Sequence, residues 1–193
     1  MNYLAHCYLS CSEEDILIGN FMTDFLHRSE VNAYAGRVKE GIILHRAIDT
    51  FTDTHPTTLK LRASLRARHG KYASVVVDLI WDYYLSQNWS HYSQMPFDEF
   101  RQQTYKILLR RKAELPAKLF KRIDSMVKHD FLSAYANKQN MQKSLVWMDN
   151  RVNFKSAFHE ATLDVAENAE QYERWFHVFM PDLIAYTETF CSC

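Results

Sequence analysis

Alternating runs of strand period are nearly absent from this chain, and only four Gly and four Pro interrupt its 193 residues. A sequence with so few turn formers and so little period-two patterning is left with long helices. Apolar groups recur at helical spacing instead, as in Ile42, Ala47, Ile48 and Phe51, or Val75, Val76, Leu79, Ile80, Tyr83 and Tyr84. The expected architecture is all-α, a helical bundle forming a single domain over residues 1–193, a length sufficient for a proper core.

The expected helices begin with Asn2 to Ser10. The next starts after a Ser12 cap, with Glu13, Glu14 and Asp15 at its positive end, and reaches about His27. Val38 to Thr52 follows, then a helix opened by Pro56, capped by Thr54 or His55 and stopped at Gly70. Tyr72 to Trp89 is strongly apolar and is the expected central helix, although its Val-Val-Val triplet could also start a strand. Pro96 opens a helix through Leu109 and Pro116 one to Tyr135, while Asn137 to Asn140 reads as a linker. Met141 to Asn168, with a break near Arg151, and Glu170 to Phe190 complete the chain.

Net charge is zero, which argues against bulk nucleic-acid binding as the main task. The most apolar run, SVVVDLIWDYYL, is short and holds two aspartates, so no membrane span is expected. The start MNYLAHCYLS lacks the basic and apolar regions of a signal peptide. The expected location is the cytoplasm, with Cys7, Cys11, Cys191 and Cys193 as reduced thiols. Their spacings match no standard zinc pattern.

The densest chemistry lies in HRAIDTFTDTHP. On a helix, 100° per residue puts His45, Asp49 and Asp53 within an arc of about 80°, with His55 at the helix exit. Imidazole and carboxylate together suit manganese, iron, zinc or magnesium. Asp78 and Asp82, four apart on the apolar central helix, point the same way and need cations, either a metal or Arg62, Arg66 or Arg68. Asp24, in GNFMTDF, opposes the dipole at a helix C-terminus, so it reads as functional unless it pairs with Arg28. His6 reads as a core or boundary histidine, and Arg46 as a phosphate ligand or a surface charge. His69, His91, His129, His159 and His177 lack helical ligand partners, and no phosphate loop or nucleophile elbow is present.

MNYLAH, GNFMTDF, HRAIDTFTDTHP and VVVDLIWDYYLSQNW, in this order over about the first 90 residues, resemble the acyl carrier protein phosphodiesterase family. The second half agrees mainly in length and helical character. The resemblance implies a divergent member of the HD phosphohydrolase superfamily, all-helical, HD-domain-like and metal-dependent, with manganese the expected ion. It lacks the adjacent His-Asp doublet of the standard signature in this stretch. The implied reaction is hydrolysis of the phosphodiester joining 4'-phosphopantetheine to a serine of holo-acyl carrier protein, giving apo-carrier and free 4'-phosphopantetheine. His6, Asp24, His45, Asp49, Asp53, His55, Asp78 and Asp82 occupy motif positions.

On this reading the metal ligands are Asp24, His45, Asp49 and Asp78, with His6, Asp53 and Asp82 next as ligands or orienters. Arg46, His55 and Asp53 are the expected catalytic residues. Holo-acyl carrier protein is the expected partner, docked on Arg62, Arg66, Arg68 and Lys71. The alternatives are an HD-type phosphohydrolase acting on a nucleotide, distinguished by activity on free nucleotides, and a non-catalytic helical binding module, distinguished by the absence of bound divalent ion.

Overall fold

A computed structural model describes residues 1–134, 136–152 and 156–190. The first half contains Tyr3–Tyr8 (α1), Glu14–Met22 (α2), Gly36–Thr54 (α3), Pro56–His69 (α4) and Ala73–Gln87 (α5). The second half contains Trp89–Tyr92 (α6), Phe97–Arg110 (α7), Phe120–Lys128 (α8), Lys138–Asp149 (α9), Ala161–Glu167 (α10) and Ala169–Glu188 (α11). The described residues contain no strand, so the Val-Val-Val triplet lies within a helix.

Local chemistry explains where the boundaries differ from expectation. Cys11 and Ser12 have φ of 56° and 55°, which places Ser12 in a turn before α2 rather than at its cap. The position before α2 is Glu13, which makes no capping side-chain bond. That helix stops at Met22 and gives way to a 3₁₀ turn over Thr23–Phe25 instead of reaching His27. The stretch read as a linker starts a helix, because the Asn137 side chain accepts a hydrogen bond from the Asn140 N–H at 2.9 Å. Pro116 opens only a 3₁₀ turn, α8 follows it, and Asp130 at φ 48° ends the run. Tyr135, the expected end of that helix, lies outside the described residues.

The central helix is the one expected. Val76, Val77, Leu79, Ile80, Trp81, Tyr83, Tyr84 and Leu85 of α5 are all buried. Trp81 stacks on Phe179 of α11 at 5.2 Å and donates its indole N–H to Thr58 of α4 at 3.2 Å. These aromatic contacts join the N-terminal helices to the last one. Cys7 is free and buried, whereas Cys11 is disulfide-bonded, so among the described cysteines the reduced-thiol expectation holds for Cys7 and not for Cys11. Cys191 and Cys193 lie outside the described residues.

The helix pair that builds the site is α2 and α3, and glycine sets their distance. A Cβ on Gly19 would sit 2.0 Å from the Val38 carbonyl oxygen, and one on Gly41 2.2 Å from that of Ile16. The two backbones therefore touch, with no room for any side chain at the crossing. Asn20 on α2 and Asp24 in the turn after it are thereby delivered to His45, one turn beyond Gly41.

Candidate metal centre

Four short segments converge at that crossing. His6 comes from α1, Asn20 from α2, Asp24 from the following 3₁₀ turn, and His45 and Asp49 from α3. The two imidazoles are buried and stack face to face, with centroids 4.0 Å apart and planes at 14°. Asn20, fully buried, fixes both rings. Its amide Nδ2 donates to the His6 carbonyl at 2.8 Å and to Ser10 Oγ at 3.1 Å, which turns Oδ1 toward the rings. His6 Nδ1 lies 2.9 Å from that oxygen, and His45 Nδ1 lies 2.8 Å from the Asn20 carbonyl oxygen and 3.1 Å from Oδ1. Both Nδ1 atoms face acceptors only, so both carry the proton.

The remaining nitrogens face carboxylates. His6 Nε2 is 3.2 Å from Asp49 Oδ1, and His45 Nε2 is 3.2 Å from Asp49 Oδ2 and 3.1 Å from Asp24 Oδ1. With Nδ1 protonated, a neutral ring would aim its Nε2 lone pair at a carboxylate oxygen, which repels unless a proton or a cation lies between them. Burial opposes charge on His45, but the bonds to Asp24 and Asp49 outweigh it and push its pKa up to about 9, so a proton answers there. Burial pushes His6 down to about 4, against the pull of Asp49. A divalent cation between His6 Nε2 and Asp49 Oδ1 would relieve that contact. Asp49 itself is held well below the usual carboxylate range: burial would raise it, but the bond from His45 and the nearby Met1 ammonium prevail. One donor atom each from His6, His45 and Asp49 lies within 4.8 Å of the others, so these residues fit a divalent ion.

Asp78 and Asp82 approach from α5 and both meet the start of α1. Asp82 is buried and accepts from the Leu4 and Ala5 N–H groups at 2.9 and 3.3 Å. Its pKa is pushed up to about 7 by burial, against the Met1 ammonium and those two bonds. Asp78 Oδ1 lies 3.0 Å from the Met1 ammonium, which also lies 3.6 Å from Asp49 Oδ1. The two carboxylates are thus met by donors at the α1 start, and neither pairs with Arg62, Arg66 or Arg68.

Other expected site residues lie apart from this cluster. Asp53 is exposed and pairs with Arg62 at 3.6 Å. His55 caps α4, accepting from the Thr57 N–H at 3.3 Å, and its Nε2 lies 3.2 Å from Asp182 on α11. Arg46 is exposed on α3 and makes no ion pair with a described residue. In the expected docking face, Arg68 is already neutralised by Asp164, Glu160 and Glu167 at 2.6, 3.3 and 3.3 Å. Asn20 was missed in the sequence, because a neutral amide adds nothing to a charge or hydrophobic pattern. Its place after Gly19 in GNFMTDF, where a polar side chain must enter a backbone crossing, is the signal it carries.

Comparison with known proteins follows the same lines. The family model for acyl carrier protein phosphodiesterase matches residues 1–183. The protein of that name from Serratia proteamaculans (strain 568) is 28% identical over 186 residues, covering 95% of this chain and 96% of the relative. The one from Klebsiella pneumoniae (strain 342) is 27% identical over 189 residues, covering 97% and 98%. The one from Photorhabdus laumondii is 38% identical over 89 residues, 46% of this chain and 45% of the relative. No solved structure matches the chain.

Proposed function

This chain belongs to the acyl carrier protein phosphodiesterase family, and we propose that it hydrolyses the phosphodiester between 4'-phosphopantetheine and a serine of holo-acyl carrier protein, giving apo-carrier and free 4'-phosphopantetheine. The observation that carries this reading is the convergence of His6, His45 and Asp49, whose donor atoms lie within 4.8 Å of one another. Mn²⁺ is the proposed ion, suited to a mixed imidazole and carboxylate set. The all-helical scaffold and this donor set also support the HD-like relationship, and an acyl carrier substrate puts the activity in the cytoplasm.

In this reading His6, His45 and Asp49 hold the metal, and Asp24 joins them through its contact with His45. A bound divalent cation supplies Lewis acidity toward the phosphoryl group and a water of lowered pKa. Asn20 keeps both Nε2 atoms aimed at the site by holding both Nδ1 protons. Asp82 orients α1, and through it His6, by holding the first backbone N–H groups of that helix. Asp78 keeps the Met1 ammonium at the edge of the cluster. Arg46, next to His45 in the chain and free of carboxylates among the described residues, would stabilise the developing charge of the diester. Asp53 and His55 secure the α3–α4 corner through Arg62, Thr57 and Asp182.

The test is chelation followed by metal return. Protein dialysed against chelator is assayed for release of 4'-phosphopantetheine from holo-carrier, then supplemented with Mn²⁺, Mg²⁺ or Zn²⁺. Loss and restoration of release support the proposal. Full release with no divalent ion bound overturns the metal centre, and hydrolysis of free nucleotides with the carrier untouched replaces the substrate.

A further inference from the structure

A cavity of about 760 Å³ lies beside the metal centre, within the size range of small-molecule sites. Met1 and Asp78 line it, and the Met1 ammonium lies 3.0 Å from Asp78 Oδ1 and 3.6 Å from Asp49 Oδ1. Its sides come from α5, α8 and α9. The half-exposed apolar side chains of Val75 and Trp147 form part of the wall.

Arg122 of α8 is the unusual group in this wall. Its Nη2 donates to the Tyr3 hydroxyl at 2.6 Å, and its guanidinium lies 5.5, 5.7 and 5.6 Å from the rings of Tyr3, Phe25 and Phe131. Its Nε is buried with no hydrogen-bond partner, and no carboxylate of a described residue pairs with it. By contrast Arg37, Arg68, Arg101 and Arg111 each pair with two or more carboxylates. A guanidinium held on aromatic faces with no carboxylate partner among the described residues keeps its Nη groups, not the sealed Nε, as donors for an anion entering the cavity. Asp130, the other carboxylate in the wall besides Asp78, is taken by Arg101, by the Tyr105 hydroxyl at 2.8 Å and by the Ser133 hydroxyl at 2.6 Å.

We propose that this cavity is the channel for the pantetheine arm, and that Arg122 holds a phosphoryl oxygen of the diester that the arm carries. This rests on the reading of the chain as a phosphodiesterase of holo-acyl carrier protein. The arm is an extended chain with two amides and a dimethyl branch, so it needs a long cleft with apolar walls and polar side groups. Val75 and Trp147 provide the first, and Asn140 and Ser144 the second. Lys143 and Arg151 on the same side give the cleft a basic rim, with Arg151 stacked 4.4 Å over Trp147.

The test is calorimetric titration of the full chain with 4'-phosphopantetheine and with pantetheine, which lacks the phosphate. Wild type is compared with Arg122→Gln, Arg122→Lys and Trp147→Ala. Wild type should bind both ligands, the phosphorylated one more tightly. Arg122→Gln should weaken 4'-phosphopantetheine about tenfold or more and leave pantetheine unchanged, with partial recovery in Arg122→Lys. Trp147→Ala, at a half-exposed position that does not threaten the fold, should weaken both ligands about fivefold. Unchanged affinity in Trp147→Ala, unchanged affinity in a folded Arg122→Gln, or no saturable binding by wild type overturns the inference. Failure of the phosphodiesterase reading would show separately, as wild-type protein that leaves holo-carrier intact.

Discussion

His6 and His45 stack 4.0 Å apart and 14° from parallel, each with Nδ1 on Asn20 and Nε2 on Asp49. Two buried imidazoles sharing one carboxylate in this way could hold a cation. Replacing either with Ala, or Asp49 with Asn, should abolish stoichiometric divalent-ion binding. Release of 4'-phosphopantetheine should then fall by more than the roughly 10–100-fold that removal of an outer-shell partner causes. Metal analysis beside a turnover assay checks this, and a variant with full metal content and full rate would remove that residue from the site.

Asn20 touches no carboxylate of the cluster, yet it fixes both rings. Asn20→Ala should lower metal affinity by roughly 10–100-fold. Because the ligands themselves remain, excess Mn²⁺ should restore most of the rate. A metal titration of activity separates this from a lost ligand: rescue at high Mn²⁺ marks an orienting residue, and no rescue marks one that does more.

The Gly19–Gly41 crossing is a geometric requirement of the site. Gly41→Ala would drive a methyl group into the Ile16 carbonyl, which is backbone and cannot swing aside. Unfolding free energy should drop by at least about 1–3 kcal/mol, and separation of α2 from α3 should also weaken metal binding. Chemical denaturation of the variant measures the first effect. A fully stable Gly41→Ala protein contradicts the close approach.

In the metal-free protein, His45 binds its proton more tightly folded than unfolded, with a pKa of about 9 against an ordinary 6.5. The stability it contributes is complete below pH 6.5 and is lost as pH rises through 9. The Met1 ammonium is also raised, burial opposing but Asp78 and Asp49 prevailing, and it adds a trend of the same sign. The melting temperature of chelated protein should therefore fall from pH 6.5 to 9, and His45→Gln should flatten part of that fall. A rising or flat profile for chelated wild type contradicts the charged His45–Asp24–Asp49 arrangement.

The helical class, the central α5 and the order of the helices were legible from period and punctuation alone. The site was only partly so. Helical spacing correctly placed His45 and Asp49 on one stripe. The same spacing does not carry Asp53 into the cluster, because one turn further along α3 the helix has passed the crossing with α2 and Arg62 is the available partner. His55 reads as a catalytic imidazole by type, but it stands at a helix start where its ring accepts a backbone N–H. The Asp78/Asp82 pair was recognisable as carboxylates in need of positive partners. That those partners would include an ammonium and two backbone N–H groups was not, since neither leaves a mark in side-chain patterning. Asn20 and Arg122 were invisible for a related reason: their importance lies in which partners surround them, and that depends on helices far apart in the chain.

The most direct test of the central claim is the intact mass of holo-acyl carrier protein after incubation with this protein and Mn²⁺. The carrier should lose the mass of its 4'-phosphopantetheine group and appear as the apo form, and it should remain holo with Asp49→Asn or with chelator present. A carrier that keeps its prosthetic group with wild-type protein and Mn²⁺ would contradict the account.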